Sequence, residues 1–363
     1  MSAGALARDL VAANLGGRRP FKLTLVLNYA CNCRCAMCNI WQKSSRGEMT
    51  REEIDRFFTR SGHWSWINLS GGEILMKKEA EEIVALTVAR NRRLWLLDFP
   101  TTGFRPERLE GLARIALDSG LGRLAITISL DGPPEVHEAV RRAPGLFDLA
   151  MESWARLRAI GDDRLLATFG MTLSAANVDQ VEATVAAIRA RHPEFERRDL
   201  HLNLAQTSEH YYDNAGMTEL ETEDHRARVL EAIRDHRARS GAEGLLARVE
   251  RRFQRDLAEY CRTGRSAYSC RSLRASVFVD PFWNVFPCIT WNRPLGNLRE
   301  CDFELREILG GEAATDARRM IRERRCPDCW TACEALPTLL ASAPRALWRE
   351  IRGVEGGAER NET

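Results

Sequence analysis

The sequence predicts an α/β fold, a partial (β/α)6 barrel followed by a small C-terminal cysteine-rich module, and three observations predict it. Six short apolar, β-rich runs recur through the first 210 residues. Amphipathic stretches of helical period separate them, the alternation expected of repeated βα units. Cysteines are absent from residues 39 to 260 and crowd on either side of that gap, as two separate metal centres would require.

The six runs are Leu23–Asn28, Trp66–Ser70, Leu94–Asp98, Arg123–Ser129, Leu165–Thr172 and Asp199–Gln206. Their near-continuous hydrophobicity predicts strands buried on both faces, as in a parallel sheet. Between them, Thr50-Arg-Glu-Glu53 has the form of a capping box and predicts a helix start. Asn177 is a good N-cap, and Val178, Val181, Val185 and Ile188 fall on one helical face behind it. Six units rather than eight point to a partial barrel; a doubly wound sheet is the alternative that periodicity alone does not separate. From Thr218 to about Arg262 the pattern becomes long, charged and helical, interrupted at Ser240-Gly241, and reads as a bridge out of the barrel. The expected organisation is an N-terminal extension (1–20), the barrel (21–217), the bridge (218–262), the cysteine module (263–340) and a Gly- and Glu-rich tail (341–363) expected to fray.

Composition narrows the function classes. The chain has 363 residues, 44% hydrophobic and 29% charged, as ordinary globular proteins have. A net charge of +2 gives no global electrostatic case for nucleic acid, and Arg248, Arg251 and Arg252 read as a solvated helix face. No segment has the roughly 18 apolar residues needed to span a bilayer, and the first residues lack a secretory pattern. The expected location is the cytoplasm, where thiols stay reduced.

Eleven cysteines then call for chemistry. Cys31, Cys35 and Cys38 form C-x3-C-x2-C directly after the first strand. Three thiolates in a short loop can hold three irons of a cubane and leave the fourth open to a small molecule. A closed tetrahedral zinc site would need a fourth ligand, and Cys33 could supply one, although its place between the spaced ligands predicts a bystander pointing away. Polar residues recur at the ends of later strands, where βα barrels gather their chemistry. The second strand ends in Ser70-Gly71-Gly72-Glu73, whose glycines permit close backbone approach and whose carboxylate can pair with an ammonium. Thr101-Thr102-Gly103 follows the third, Ser129-Leu130-Asp131-Gly132-Pro133 the fourth, and Ser174 with Asn177 the fifth. His137 reads as a surface helix residue and Asp131-Gly132-Pro133 as a turn.

In the last third, Cys270 and Cys288 flank a hairpin-like stretch, and Cys326, Cys329 and Cys333 follow. The spacing suits either an iron–sulfur cluster or a zinc site; the first choice of ligands is Cys270, Cys288, Cys326 and Cys329, with Cys333 and Cys261 as contenders and Cys301 as a buried free thiol.

Taken in order, these motifs resemble the radical S-adenosylmethionine superfamily over roughly residues 20 to 215, and the last third resembles its SPASM or twitch extension. The resemblance implies a [4Fe-4S] cluster on Cys31, Cys35 and Cys38, and S-adenosylmethionine as second cofactor. Gly71, Gly72 and Glu73 would hold its amino group, Ser129, Asp131 and Arg142 would lie near its ribose and carboxylate, and Met37 would pack on its adenine. An auxiliary [4Fe-4S] cluster would use the C-terminal cysteines. Ile74 stands where the family has proline, and Trp283 where the extension has a glycine, which puts that turn in question. The implied activity is reductive cleavage of S-adenosylmethionine to a 5′-deoxyadenosyl radical, which takes hydrogen from a small-molecule or peptide substrate. The implied partner is an external one-electron reductant such as flavodoxin or ferredoxin. The alternative is a non-catalytic zinc or iron–sulfur protein.

Overall fold

In the computed structural model, which describes residues 4–15, 19–216, 223–241 and 245–342, one sheet organises the chain. Its strands are β1 (Lys22–Val26), β2 (Trp66–Ser70), β3 (Leu96–Thr101), β4 (Arg123–Ser129), β5 (Leu165–Leu173), β6 (Leu200–Leu204), β7 (Ser276–Val279), β8 (Asn284–Phe286) and β9 (Gly296–Asn297). The order is β6-β5-β4-β3-β2-β1-β7-β8-β9. Strands β1 to β6 are parallel and consecutive, so the order never reverses as a doubly wound sheet requires. A partial barrel results.

Helices α1 (Gly4–Asn14), α2 (Arg51–Ser61), α3 (Ala80–Arg90), α4 (Pro106–Asp118), α5 (Pro134–Arg141), α6 (Leu146–Ala159) and α7 (Val181–Arg191) accompany β1 to β6. The capping box forms as read: the Glu53 amide donates to Thr50 Oγ1, and the Thr50 amide donates to Glu53 Oε2. Ile54, Phe57 and Phe58 of α2 are buried in the main core, each contributing about 1.5–3 kcal/mol by leaving water. Asn177 departs from its reading. Its side chain caps no helix; Nδ2 donates to the carbonyls of Asp131 and Thr172, and so joins the ends of β4 and β5. The apolar face behind it is as expected, with Val178, Val181, Val185 and Ile188 all in the core.

The strands are not apolar on both faces. Leu23, Leu25, Ile67, Leu69, Leu97, Phe99, Leu124 and Ile126 pack under the helices in a single large core. The alternate positions point into the barrel, and parallel register sets Thr24, Asn68 and Asp98 side by side there. Thr127 pairs with Thr168 one layer higher, and His201 and Asn203 continue the polar face on β6. The barrel therefore has a polar interior, where a filled barrel would carry bulky aliphatics. α1 closes the lower end, packing Leu6 and Ala13 into a cluster with Phe21, Trp66 and Ala341.

Two features extend the barrel. α8 (Glu223–Arg239) and α9 (Leu245–Thr263) do not lead away from it: they cover the free edge of β6. His236 Nε2 meets the Leu200 carbonyl at 3.0 Å, and Gln254 Nε2 donates to the Leu202 carbonyl at 2.9 Å. On the other side β7 pairs in parallel with β1, Lys22 opposite Ser276 and Leu25 opposite Val279, so the β7–β8 hairpin continues the barrel sheet. Trp283, in the hairpin turn, has φ +69°, a conformation that favours glycine. It is held there by burial against Phe57 and Phe303 and by an Nε1–H bond to Glu53. α10 (Leu305–Gly310), α11 (Glu312–Arg322) and α12 (Ala332–Leu340) complete the fold. The expected tail lies, from residue 343 onward, outside the described residues. Among the described residues no helix is long and apolar enough to cross a membrane.

Candidate active site

The loop after β1 is pinned from three sides. The amides of Gly72 and Glu73 donate to the carbonyls of Asn28 and Ala30, both at 2.9 Å. The amides of Arg34 and Ala36 donate to the carbonyls of Arg141 and Val140 at the end of α5, at 3.1 and 2.8 Å. The loop after β6 supplies the third side: the Asn39 amide donates to the Tyr212 carbonyl, and Asn214 Nδ2 donates to the Met37 carbonyl.

Gly71 and Gly72 serve this packing. A Cβ on Gly71 would lie 2.5 Å from Asn28 Oδ1, and one on Gly72 2.3 Å from the Ala30 carbonyl oxygen. Their lack of a side chain lets the end of β2 press on the cysteine loop. Glu73 is buried, which raises its pKa, and three donors of the chain itself hold its carboxylate: the Leu75 amide, the Thr101 hydroxyl and the Thr102 amide. Glu73 thus ties β2 to β3, and Thr102 Oγ1 passes the link on to Asn32 of the cysteine loop at 3.1 Å.

The structure corrects the reading of Cys33. Its thiol does not point away; it is buried and hydrogen-bonded to the sulfurs of both Cys31 and Cys35. That bond holds Cys35 down to about 6, opposed by burial and assisted by Arg141. Cys31 is lowered by the same thiol, while burial pushes Cys38 up to about 12. Cys31 and Cys38 are half-buried.

Beyond β4 the carried-over assignment shifts by one residue. Arg142 is exposed, with φ +50° at the end of α5, and reaches none of this machinery. Arg141 does: its Nε donates to Asp131 Oδ2 at 2.6 Å and its Nη1 to Cys35 Sγ at 3.7 Å. Asp131 is fully buried, and the Thr172 amide holds its other oxygen, so it anchors Arg141. Ser129 lies half-buried on the inner face at the end of β4. His137 is fully buried and no surface residue; burial lowers it to about 4, and its Nδ1 accepts the Asp131 amide. The helical spacing of His137 and Arg141, four residues apart on the buried face, is the signal that selects Arg141. Tyr211, whose hydroxyl meets Ser70 Oγ at 2.8 Å and donates to the Gly71 carbonyl, carries no comparable signal.

The C-terminal cysteines divide. Cys270, Cys288 and Cys329 are electrostatic neighbours of one another, and Cys326 lies beside Cys329. Burial raises all four, and for Cys270, Cys288 and Cys329 the carboxylate of Glu334 adds to the effect. Cys333 faces the other way, packed with Tyr211 and Phe278 and neighbouring Lys22 and Asp98. Cys261 lies in the main core, and Cys301 is half-buried with carbonyls around its thiol. Among the described residues no three histidine, cysteine or carboxylate side chains are drawn around a single ion. Two groups of thiols without histidine fit polynuclear iron–sulfur clusters better than mononuclear sites.

Residues 25–188, just under half of the chain, match the Radical SAM superfamily. This chain carries a radical SAM domain. The cofactors that go with it are a [4Fe-4S] cluster and S-adenosylmethionine. A curated relative is the sporulation killing factor maturation protein SkfB of Bacillus subtilis, 26% identical over 187 residues. That match takes in 48% of this chain and 41% of SkfB, so the chain spans about two fifths of the relative's length. The fold is similar to that of anSMEcpe with bound AdoMet, at a TM-score of 0.58 and 15% identity, over 92% of this chain and 100% of that one. It is also similar to Streptococcus suis SuiB bound to S-adenosylmethionine, at 0.53 and 13%, over 78% of this chain and 64% of that one. In the radical SAM domain the three motif cysteines, the Gly71–Glu73 segment and the Asp131–Arg141 pair meet at one end of β1, β2 and β4, the C-terminal end where barrel chemistry is built.

Proposed function

We propose that the protein cleaves S-adenosylmethionine reductively and uses the resulting radical to take hydrogen from a peptide substrate. The observation that carries the reading is the pinned loop of Cys31, Cys35 and Cys38 at the mouth of a polar barrel. When bound, a [4Fe-4S] cluster and S-adenosylmethionine together supply a 5′-deoxyadenosyl radical able to break an unactivated C–H bond.

The chain's own residues do the rest. Cys31, Cys35 and Cys38 would ligate three irons, and the lowered pKa of Cys31 and Cys35 favours the thiolates that ligation needs. The Arg141 guanidinium, fixed by Asp131, places a buried positive charge beside the Cys35 sulfur. The Gly71–Glu73 segment and Ser129 line the cofactor's edge, and Met37 stands ready for an aromatic face. Cys270, Cys288, Cys326 and Cys329 would hold an auxiliary [4Fe-4S] cluster, on the electrostatic neighbourhood they share. Cys333 drops out of that set. The electron would come from an external carrier of the flavodoxin or ferredoxin kind.

A peptide, rather than a small molecule, is supported by two relatives: SkfB is a maturation protein, and SuiB has been seen bound to the precursor peptide SuiA. The half-open inner face of β3 to β6, with Asp98, Thr127, Thr168, His201 and Asn203 half-buried, leaves room for a chain segment. The test is anaerobic reconstitution followed by S-adenosylmethionine and dithionite, with 5′-deoxyadenosine as readout. Its release supports the reading; bound zinc without release contradicts it and leaves a structural metalloprotein.

A further inference from the structure

The lower half of the barrel holds a buried polar cluster that the cofactor site does not use. Lys22 is 2% exposed; its Nζ donates to the Cys333 carbonyl at 2.5 Å and stands 4.8 Å from the Trp66 ring centre. Lys22 is an electrostatic neighbour of two carboxylates, Asp98 on β3 and Glu334 on α12. Both Asp98 oxygens are engaged, one by Trp66 Nε1 and one by Asn68 Nδ2. Glu334 Oε2 accepts the Ser276 hydroxyl.

Three atoms around this group have no partner: Thr24 Oγ1, Asn68 Oδ1 and Glu334 Oε1. Their residues are 0%, 5% and 3% exposed. The register puts Thr24 beside Asn68 and Lys22 beside Ser276, so strands and α12 face one space. An unpartnered buried polar atom costs about 1–3 kcal/mol, and three together mark a place where a group is missing. Two of the three are pure acceptors, and two carboxylates face one ammonium. The missing group is therefore a donor, and a positive one.

We infer that Thr24, Asn68 and Glu334, around Lys22 and Asp98, form the substrate's specificity pocket and take an alkylammonium group. The inference rests on the radical reading above. Asn68 lies four residues before Gly72, about 13 Å down the strand at ~3.3 Å per residue, so a side chain seated here reaches toward the cofactor's edge. Carbons along that side chain then lie between floor and cofactor, where hydrogen is taken. Glu334 begins α12 next to the auxiliary cysteines, so the same helix joins the pocket to that site.

The test uses reconstituted protein with small probes. Saturation-transfer NMR would compare n-butylammonium, butyramide and pentanoate. Butylammonium should bind, with butyramide weaker and pentanoate weakest. Glu334→Gln should weaken butylammonium about tenfold or more while sparing butyramide, because only the charge is removed. Thr24→Val, on a different strand, should weaken both probes, and serves if Glu334→Gln loses its iron or its melting transition. Pentanoate binding as well as butylammonium, or no probe binding, would mean a floor filled by water and would overturn the inference. Release of 5′-deoxyadenosine by the wild type, measured separately, decides the radical reading; the pocket fails alone when release occurs and the probes do not bind as stated.

Discussion

The two cysteine regions share one sheet and opposite electrostatics. At the first, a buried arginine and a donating thiol stand against the sulfurs, and Cys35 falls to about 6. At the second, burial and the carboxylate of Glu334 lift Cys270 and Cys288 well above the ordinary thiol range, and Cys329 to about 11. The first loop is half-open and pinned mainly by backbone bonds; the second set is enclosed between the β7–β8 hairpin and α12. One region offers thiolates to a site that must admit a small molecule. The other yields its protons only to a metal that stays.

The largest expected effect that could break this contrast is on iron itself. The Cys31→Ala, Cys35→Ala, Cys38→Ala variant should lose the first cluster and all 5′-deoxyadenosine release. Iron held by the C-terminal set should remain, read by iron and sulfide analysis.

Next is the buried charge. Arg141→Met leaves Asp131 fully buried and uncompensated, which should cost about 3–5 kcal/mol in denaturant unfolding. In metal-free protein it should also slow alkylation of Cys35 at neutral pH, since the thiolate loses its cation. Equal alkylation rates in wild type and variant would remove Arg141 from the account.

Trp283→Gly sharpens the second region. Glycine relieves the φ of +69°, but losing a buried tryptophan costs about 3–5 kcal/mol, so the net result should be destabilisation by a few kcal/mol. A stabilised variant would show that backbone strain, rather than packing on Phe57 and Phe303, dominates the turn.

The smallest effect is the His201–Glu250 pair at 2.6 Å, on the edge covered by α9. Burial opposes the His201 charge, but Glu250 overrides it, and the pKa rises above the ordinary 6.5. A raised histidine contributes stability that is full below 6.5 and is lost as pH climbs through the folded value. At the acid end the contribution falls away as Glu250, whose own pKa is lowered, takes up a proton. The melting temperatures of wild type and His201→Gln should therefore differ most in mildly acid solution and converge in alkali.

Much of this was legible in the chain. β2 and β4 begin and end where the apolar runs do, and the capping box at Thr50 forms as written. The polar interior was written too, as Lys22, Thr24, Asn68 and Asp98 at every second position, but short runs rich in leucine and isoleucine hide an alternation of two. Arg141 was passed over for Arg142 because adjacency in sequence says nothing of direction, whereas the phase of α5 with His137 does. The Cys33 contact and the pairing of β7 with β1 are tertiary. One depends on how the loop turns between α5 and β2, the other on a strand roughly 250 residues away from its partner. Cys333 was grouped with Cys326 and Cys329 by spacing; the start of α12 turns it toward Tyr211 instead.

The central claim is that the two cysteine sets hold two separate clusters and that only the first works on S-adenosylmethionine. Iron and sulfide analysis with 5′-deoxyadenosine release, on wild type and the Cys31, Cys35, Cys38 triple alanine variant, tests it most directly. About eight irons with release, falling to about four without release, is the predicted result. Zinc in place of iron, or release that survives the triple substitution, would contradict it.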